Sequence, residues 1–276
     1  MSIKLIALDL DNTTLNAESR LSAGNRRAIE TAIDRGVNVV IATGRCLGAL
    51  PDDVTAVRGI QYAITSNGAQ IRDLRTGDHL YTNYLAPESV ASAASVLRGL
   101  DPATHMVEVF VDGTAYMEKS IYEDVMAGRN SHRHRDYVLN TRHPQDHLLD
   151  FMLENRDSIE NINIFFNTMS DKRDTYPLLE TIPNVTLTTS LDNNWEIGGA
   201  TTSKASALHE LGRLLDVSRE EIMACGDSPN DGAMLREAGV AVAVANAKPV
   251  ILEMADFISG SNDDDGVATA IEKFVL

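Results

Sequence analysis

Four short runs, "IKLIALD", "VNVVIA", "EIMACGD" and "VAVAVA", are apolar at nearly every position and stop at polar or small residues. A strand with one face in water alternates polar and apolar side chains, whereas a strand covered on both faces does not. Runs of this kind predict a parallel sheet with helices packed on both sides. The segments between them fit. Ser22 can cap a helix to Arg35 that places Ala28, Ile29, Ala32 and Ile33 on one face, with Gly36 as its stop. "YAITS" adds a strand, and the Asn67-Gly68 pair after it signals a hairpin. Further on, helices over Ser203 to Leu215 and "PNDGAMLREAG" alternate with two of the apolar runs. Ser218 with Glu221 makes a capping box, and a last helix ends near the C-terminus.

The middle of the chain has another texture. Pro87 opens an amphipathic helix to about Leu100, and "MVEVFVDGTAYM" reads as two alternating strands joined at Asp112-Gly113. "NINIFF", a helix over Asp171 to Leu179, "NVTLTT" and "NWEI" follow. Hairpins and helices without strict alternation describe an α+β unit. The expected organisation is a discontinuous α/β core, residues 1–84 and 192–276, interrupted by an α+β domain over residues 85–191. A length of 276 residues suits one to two domains.

Charge narrows the partners. Lys and Arg number 24 against 40 Asp and Glu, a net charge of −16. Phosphate backbones attract basic patches, so neither nucleic acid nor an anionic membrane is expected as a partner. No run has the length of a membrane span, and the N-terminal apolar run meets Asp9 before a secretory signal could finish. Cys46 and Cys225 are too few and too far apart for a disulfide framework, so a reduced, cytoplasmic setting is expected.

The first apolar run ends on Asp9-Leu10-Asp11. Residues two apart in an extended segment share a face, and two carboxylates there repel unless a cation or a shared proton holds them. In an open parallel sheet, ligands bind beyond the carboxyl ends of the strands. Strands ending at Asp9, Thr43 and Asp227 would meet at one such crevice. Asp9, Asp11, Asp227 and Asp231 offer hard oxygen ligands, which suit Mg²⁺. Lys204 adds one compact positive charge near a helix start, and Thr43 a hydroxyl. Together these make a site for a phosphoryl group. An Asp-x-Asp alone is commonly a solvated turn, and Lys204 alone would read as a surface lysine. All four segments, in order and each at a strand end or helix start, are poorly explained by coincidence.

With these residues in place, "DLDNTTL", "TGR", "SKASAL" and "GDSPND" resemble the four motifs of the haloacid dehalogenase superfamily. The inserted unit, "TSNGA" and "WEI" are similar to its Cof-type, class IIB sugar-phosphatase branch. The resemblance implies a Rossmann-like parallel-sheet core carrying a C2-type cap, and a phosphatase that works through an aspartyl phosphate. It implies Asp9 as nucleophile and Asp11 as general acid and base. Thr43 with Gly44, Lys204 and Asn230 would lie on the phosphate side. Asp9, Asp227 and the backbone carbonyl of Asp11 would hold Mg²⁺, with Asp231 a further acid beside it. A small phosphorylated metabolite is the implied partner. Three other readings stand beside this one: a phosphomutase, a receiver-like phosphoacceptor, and a silent binding protein.

The family pattern has glycine where this chain has Asn12. Asparagine tolerates left-handed backbone better than other non-glycine residues, so the turn is expected to survive. The cluster His132, Arg133, His134 and Arg135 is either a cap loop that meets an anionic substrate or an exposed polar loop. His143 and His147 have helical spacing, but Pro144 between them argues against a metal pair. Trp195 is expected to pack at the junction of the two domains, and Cys225 in the core.

Overall fold

The structure is a computed structural model and describes residues 2–129 and 135–276. Five strands open the chain: β1 (Leu5–Leu8), β2 (Asn38–Ala42), β3 (Tyr62–Thr65), β4 (Gln70–Asp73) and β5 (His79–Thr82). Six follow: β6 (His105–Val111), β7 (Thr114–Glu118), β8 (Arg142–Gln145), β9 (Ile159–Phe166), β10 (Val185–Thr188) and β11 (Asn194–Gly199). Then come β12 (Ile222–Gly226), β13 (Val240–Ala243) and β14 (Phe257–Ile258). They build two sheets, ordered β14-β13-β12-β1-β2-β3-β4-β5 and β10-β11-β9-β6-β7-β8. The chain divides accordingly. One unit comprises Met1–Arg45, Leu50–Thr82 and Ser203–Leu276, the other Cys46–Ala49 and Asn83–Thr202.

In the first unit the sheet is parallel from β14 to β3 and antiparallel over β4 and β5. Alternate residues of β1 enter different cores. Ile6 and Leu8 pack with Ala28, Ile29 and Ala32 of helix Ala23–Asp34 and with Val267 and Ile271 of helix Gly266–Phe274. Leu5 and Ala7 pack with Leu208 and Leu211 of helix Lys204–Leu215 and with Met234 and Leu235 of helix Gly232–Glu237. Water reaches neither face, which is why the run carries no polar alternation. Ser22 caps the first of these helices by accepting from the Asn25 N–H, and Gly36 ends it at φ +84°. The Asn67-Gly68 signal falls in the turn Ser66–Gly68, which joins β3 to its antiparallel partner β4. Because β12, β1 and β2 are parallel neighbours, their carboxyl ends lie side by side.

The second unit covers one face of its sheet with helices. Val90, Ala93 and Leu97 of Pro87–Gly99 and Met152 of Leu148–Glu154 pack on Val107, Val109, Ile162 and Ile164. Among the alternate residues of the strands, Glu196, Asn163 and Glu108 lie in one polar cross-strand row. The Asn194 amide donates to Asn163 Oδ1 at 3.1 Å and to Glu196 Oε1 at 2.7 Å. From β8, Arg142 donates to Glu108 Oε2 at 2.7 Å and stacks 4.6 Å from the Tyr137 ring centre.

Two expectations need correction here. The inserted unit does not end at residue 191, because β11 pairs with β9 and β10 and belongs to its sheet. Trp195, on that strand, packs inside this unit, with the Tyr176 ring 4.9 Å away and the Lys172 ammonium 4.7 Å above it. His132, Arg133 and His134 lie outside the described residues. Arg135 is exposed at the start of helix Arg135–Thr141. His143 is on β8 while His147 precedes the next helix, so the two share no helical face. Both cysteines are free and buried. Burial pushes the Cys225 thiol up to about 12, as befits a core residue. Among the described residues no helix is long and apolar enough to cross a membrane.

The Arg142–Glu108 pair is almost wholly buried, at 3% and 1% side-chain exposure. Removing one member leaves the other charge without its counter-ion, which typically costs about 3–5 kcal/mol, whereas replacing both by apolar groups is often neutral. Arg142→Met should therefore lower unfolding stability by about that amount, and adding Glu108→Met should restore most of it. Urea titration of the two variants checks this. Additive losses in the double variant would show that the pair is not coupled.

Candidate active site

Where β1 ends, the chain enters a tight turn over Leu10–Thr14, with Asn12 at φ 59° and ψ 9°. This is the left-handed region that asparagine tolerates, so the turn survives without glycine. The turn is pinned from several sides. The Thr14 hydroxyl donates to the Asp9 carbonyl at 2.5 Å, Asn25 donates to the Thr14 carbonyl at 3.1 Å, and Asn246 donates to the Asn12 carbonyl at 2.8 Å.

Lys204 begins helix Lys204–Leu215, whose capping residue Ser203 accepts from the Ser206 N–H. The ammonium is fully buried, and it donates to Asp9 Oδ1 at 2.6 Å and to Asp231 Oδ1 at 2.7 Å. The helix reaches this depth because Gly68, at φ +99°, has no side chain: a Cβ there would sit 2.0 Å from the Ser203 carbonyl oxygen. Asp231 uses its second oxygen to accept from the N–H groups of Asp227 and Ser228, both at 3.0 Å. Gly226 makes room for it, since a Cβ there would lie 2.6 Å from that of Asp231. Asp227 in turn accepts from the Thr13 hydroxyl at 3.2 Å and the Ser228 hydroxyl at 2.7 Å.

Asp9, Asp227 and Asp231 thus present carboxylate oxygens within 4.8 Å of one another, all from buried residues. One lysine cannot neutralise three carboxylates. Burial raises the pKa of Asp9 well above the usual range, with Asp231 and Asp227 adding repulsion that Lys204 only partly relieves. For Asp227, burial and then Asp231 push the carboxyl up to about 6. Burial pulls the Lys204 ammonium downward, but Asp231 and Asp9 outweigh it and keep the lysine charged. An all-oxygen donor set with surplus negative charge fits a hard divalent cation.

The other expected residues sit around this centre. Thr43 is buried just past β2, and its hydroxyl accepts from the Arg45 N–H at 3.1 Å; Gly44 lies between them. Asn230 donates to Asn67 Oδ1 at 3.0 Å, bridging two strand-end loops. Asp11 stands apart from the cluster. Its carboxylate is held by Arg45, with Nε to Oδ2 at 2.8 Å and Nη2 to Oδ1 at 2.5 Å. Sequence reasoning assigned nothing to Arg45, Thr13, Thr14 or Ser228, although all four sit inside the quoted motifs. Their polar side chains, next to aspartates that need donors, were the available signal.

The profile of the haloacid dehalogenase-like hydrolases matches residues 6–271, and the chain belongs to that family. Within it the chain falls in the Cof-type branch suggested by its motifs. It is 32% identical over 276 residues to the 5-amino-6-(5-phospho-D-ribitylamino)uracil phosphatase YcsE of Bacillus subtilis, covering all of this chain and 97% of that protein. It is 30% identical over 286 residues to the phosphatase YwpJ of the same organism, 96% of this chain and 98% of the relative. A solved haloacid dehalogenase-like hydrolase from B. subtilis shares 27% identity at a TM-score of 0.83, across 99% of this chain and 100% of the other. The subclass IIB sugar phosphatase BT4131 has the same fold, with a TM-score of 0.81 at 21% identity over 98% of each chain. Both units of the mixed α/β fold, with its parallel sheet, therefore recur in known relatives.

The raised Asp227 pKa sets a direction for stability. Its folded value of about 6 lies above the ordinary 3.8, so the folded state holds a proton that the unfolded chain has released. Stability of the metal-free protein should fall as pH rises from about 4 to about 6 and stay lowered above that. Asp227→Asn should remove this loss and raise the melting temperature at pH 7. Added Mg²⁺ should raise it in wild type and leave the variant nearly unmoved, because a ligand of the folded state stabilises it. Thermal melts across pH, with Mg²⁺ and with EDTA, decide it.

Proposed function

We propose that this protein hydrolyses small phosphomonoesters, sugar phosphates or related metabolites, through a phosphoryl group carried on Asp9. The observation that carries this is Lys204, buried and shared between Asp9 and Asp231 at the carboxyl edge of the parallel sheet. A buried lysine leaves one oxygen of Asp9 in a fixed direction and places a positive charge where an entering phosphate would sit. The names of the relatives support the chemistry, and the ribityl phosphate named for one of them supports a polyhydroxylated leaving group.

In this scheme Asp9 attacks phosphorus, the bond to the leaving oxygen breaks, and Asp11 gives that oxygen a proton. A water then attacks the phosphoryl group on Asp9 while Asp11 takes the proton back, and phosphate departs. Lys204, Thr43 with the adjacent Gly44, and Asn230 line the phosphate side and hold its oxygens. Mg²⁺ would be held by Asp9, Asp227 and the Asp11 backbone carbonyl. Bound there, it would supply the positive charge that lowers repulsion between a carboxylate and a phosphate dianion. Asp231, with both oxygens already engaged, orients Lys204 and the Asp227 loop beside that cation.

Asp9→Asn should abolish phosphate release while keeping the fold, because an amide oxygen is too weak a nucleophile to attack phosphorus. EDTA should stop the wild-type enzyme and Mg²⁺ restore it. A phosphate-release screen over a panel of metabolite esters, with melting curves for the variant, tests all three statements. Turnover by a folded Asp9→Asn protein would exclude the covalent route.

A further inference from the structure

Arg45 holds Asp11 by both carboxylate oxygens, a forked geometry that fixes the plane as well as the position of the acid. The arginine side chain is 9% exposed and the aspartate 47%, so Arg45 is the firmly packed member and Asp11 the one with room to turn. The Arg45 backbone is anchored too. Its N–H donates to the Thr43 hydroxyl at 3.1 Å, and its carbonyl accepts from the Ser66 N–H at 2.8 Å. An exposed ion pair would contribute little, but a forked pair with a buried arginine is a defined contact.

The four residues that follow belong to the other unit. Cys46–Ala49 goes with the inserted unit, although Arg45 before it and Leu50 after it belong to the core. The Gly48 N–H donates to the Gly113 carbonyl in the β6–β7 turn at 2.8 Å. Cys46 and Ala49 are buried in one apolar cluster with Phe110 and Ala115. The chain therefore crosses between the units at 45/46 and 49/50 as well as at 82/83 and 202/203. Arg45 is one peptide bond from a segment bound to the inserted unit, and its side chain grips Asp11.

We infer that Arg45 is a positioning residue that latches Asp11, and that Cys46–Ala49 is the tether through which the inserted unit opens the latch. An acid gripped on both oxygens cannot turn toward a leaving-group oxygen until the grip opens. Any displacement of the inserted unit is carried through Cys46 to Arg45 and changes that grip. The inference rests on Asp11 serving as the acid in the proposed reaction.

Inserting two glycines between Arg45 and Cys46 slackens the tether and leaves both sets of contacts in place. With the latch present but its release weakened, single-turnover alcohol release from an alkyl phosphate, whose leaving group needs a proton, should fall by about tenfold or more. That is a part of the ~10²–10⁴ a positioned acid contributes. On p-nitrophenyl phosphate, whose leaving group needs none, the single-turnover rate of p-nitrophenol release should change less than about threefold, because Asp11 enters there only in the later attack of water. Arg45→Gln, which stays polar but is uncharged and too short to make the fork, should rescue the insertion on the alkyl ester. In the metal-free protein it should speed amide hydrogen exchange over Leu10–Leu15, while the insertion alone should not. Equal losses of single-turnover leaving-group release from both esters, or an insertion that Arg45→Gln does not rescue, would overturn the latch while the phosphatase reading stands. Wild-type protein that releases phosphate from neither ester defeats both.

Discussion

Everything at the site turns on one buried ammonium. Lys204 is fully enclosed and bonded to Asp9 and Asp231, an arrangement whose desolvation cost is large for all three groups. Such a cluster persists only where the surrounding chain supplies enough further donors. Here the Asp227 and Ser228 amides serve Asp231, and Thr13 with Ser228 serves Asp227. Even so, negative charge remains in surplus, and the raised pKa values of Asp9 and Asp227 record it. A site that is strained without a cation is a site prepared to take one, since the same crowding that costs stability gives affinity.

The sheet makes this clustering possible. Asp9, Thr43 and Asp227 are distant in sequence, yet each follows immediately on a strand, and β12, β1 and β2 are parallel neighbours. Parallel pairing aligns chain direction, so polar residues placed after three apolar runs must arrive at one edge. Lys204 arrives from a helix instead, and needs Gly68 to come close enough. The apolar cores on the two faces of the sheet hold these ends rigid, and rigid supports are what a preorganised electrostatic site requires.

Much of this was legible in the sequence because it is local or periodic. Uninterrupted apolar runs marked the buried strands, Ser22 and Ser203 marked helix starts, and Asn67-Gly68 marked the hairpin into β4. What was hidden is pairing at long range. No local pattern in "NWEI" says that β11 joins β9, so the boundary of the inserted unit was set too early. Likewise the fork from Arg45 to Asp11 spans two loops, and only the folded sheet shows that these loops meet. The departure at Asn12 was readable in the opposite sense, because a left-handed turn constrains one residue alone.

Asp9 and Asp11 are two residues apart and share a motif, but the structure gives them different surroundings. Asp9 is buried against a lysine and two further carboxylates, while Asp11 is half exposed and paired with a guanidinium. Paired acids take different chemical roles when their environments differ, and the environments here differ in burial, partner and freedom to move. In the proposed reaction Asp9 would need a fixed direction, which Lys204 imposes on it. In the same proposal Asp11 would need to reach two different oxygens in turn, first on the leaving group and then on water. That calls for a side chain with room to swing and a partner that can let go. The turn over Leu10–Thr14 separates the two demands: it ends the strand directly after Leu8, keeps Asp9 in the buried cluster, and turns Asp11 outward to Arg45.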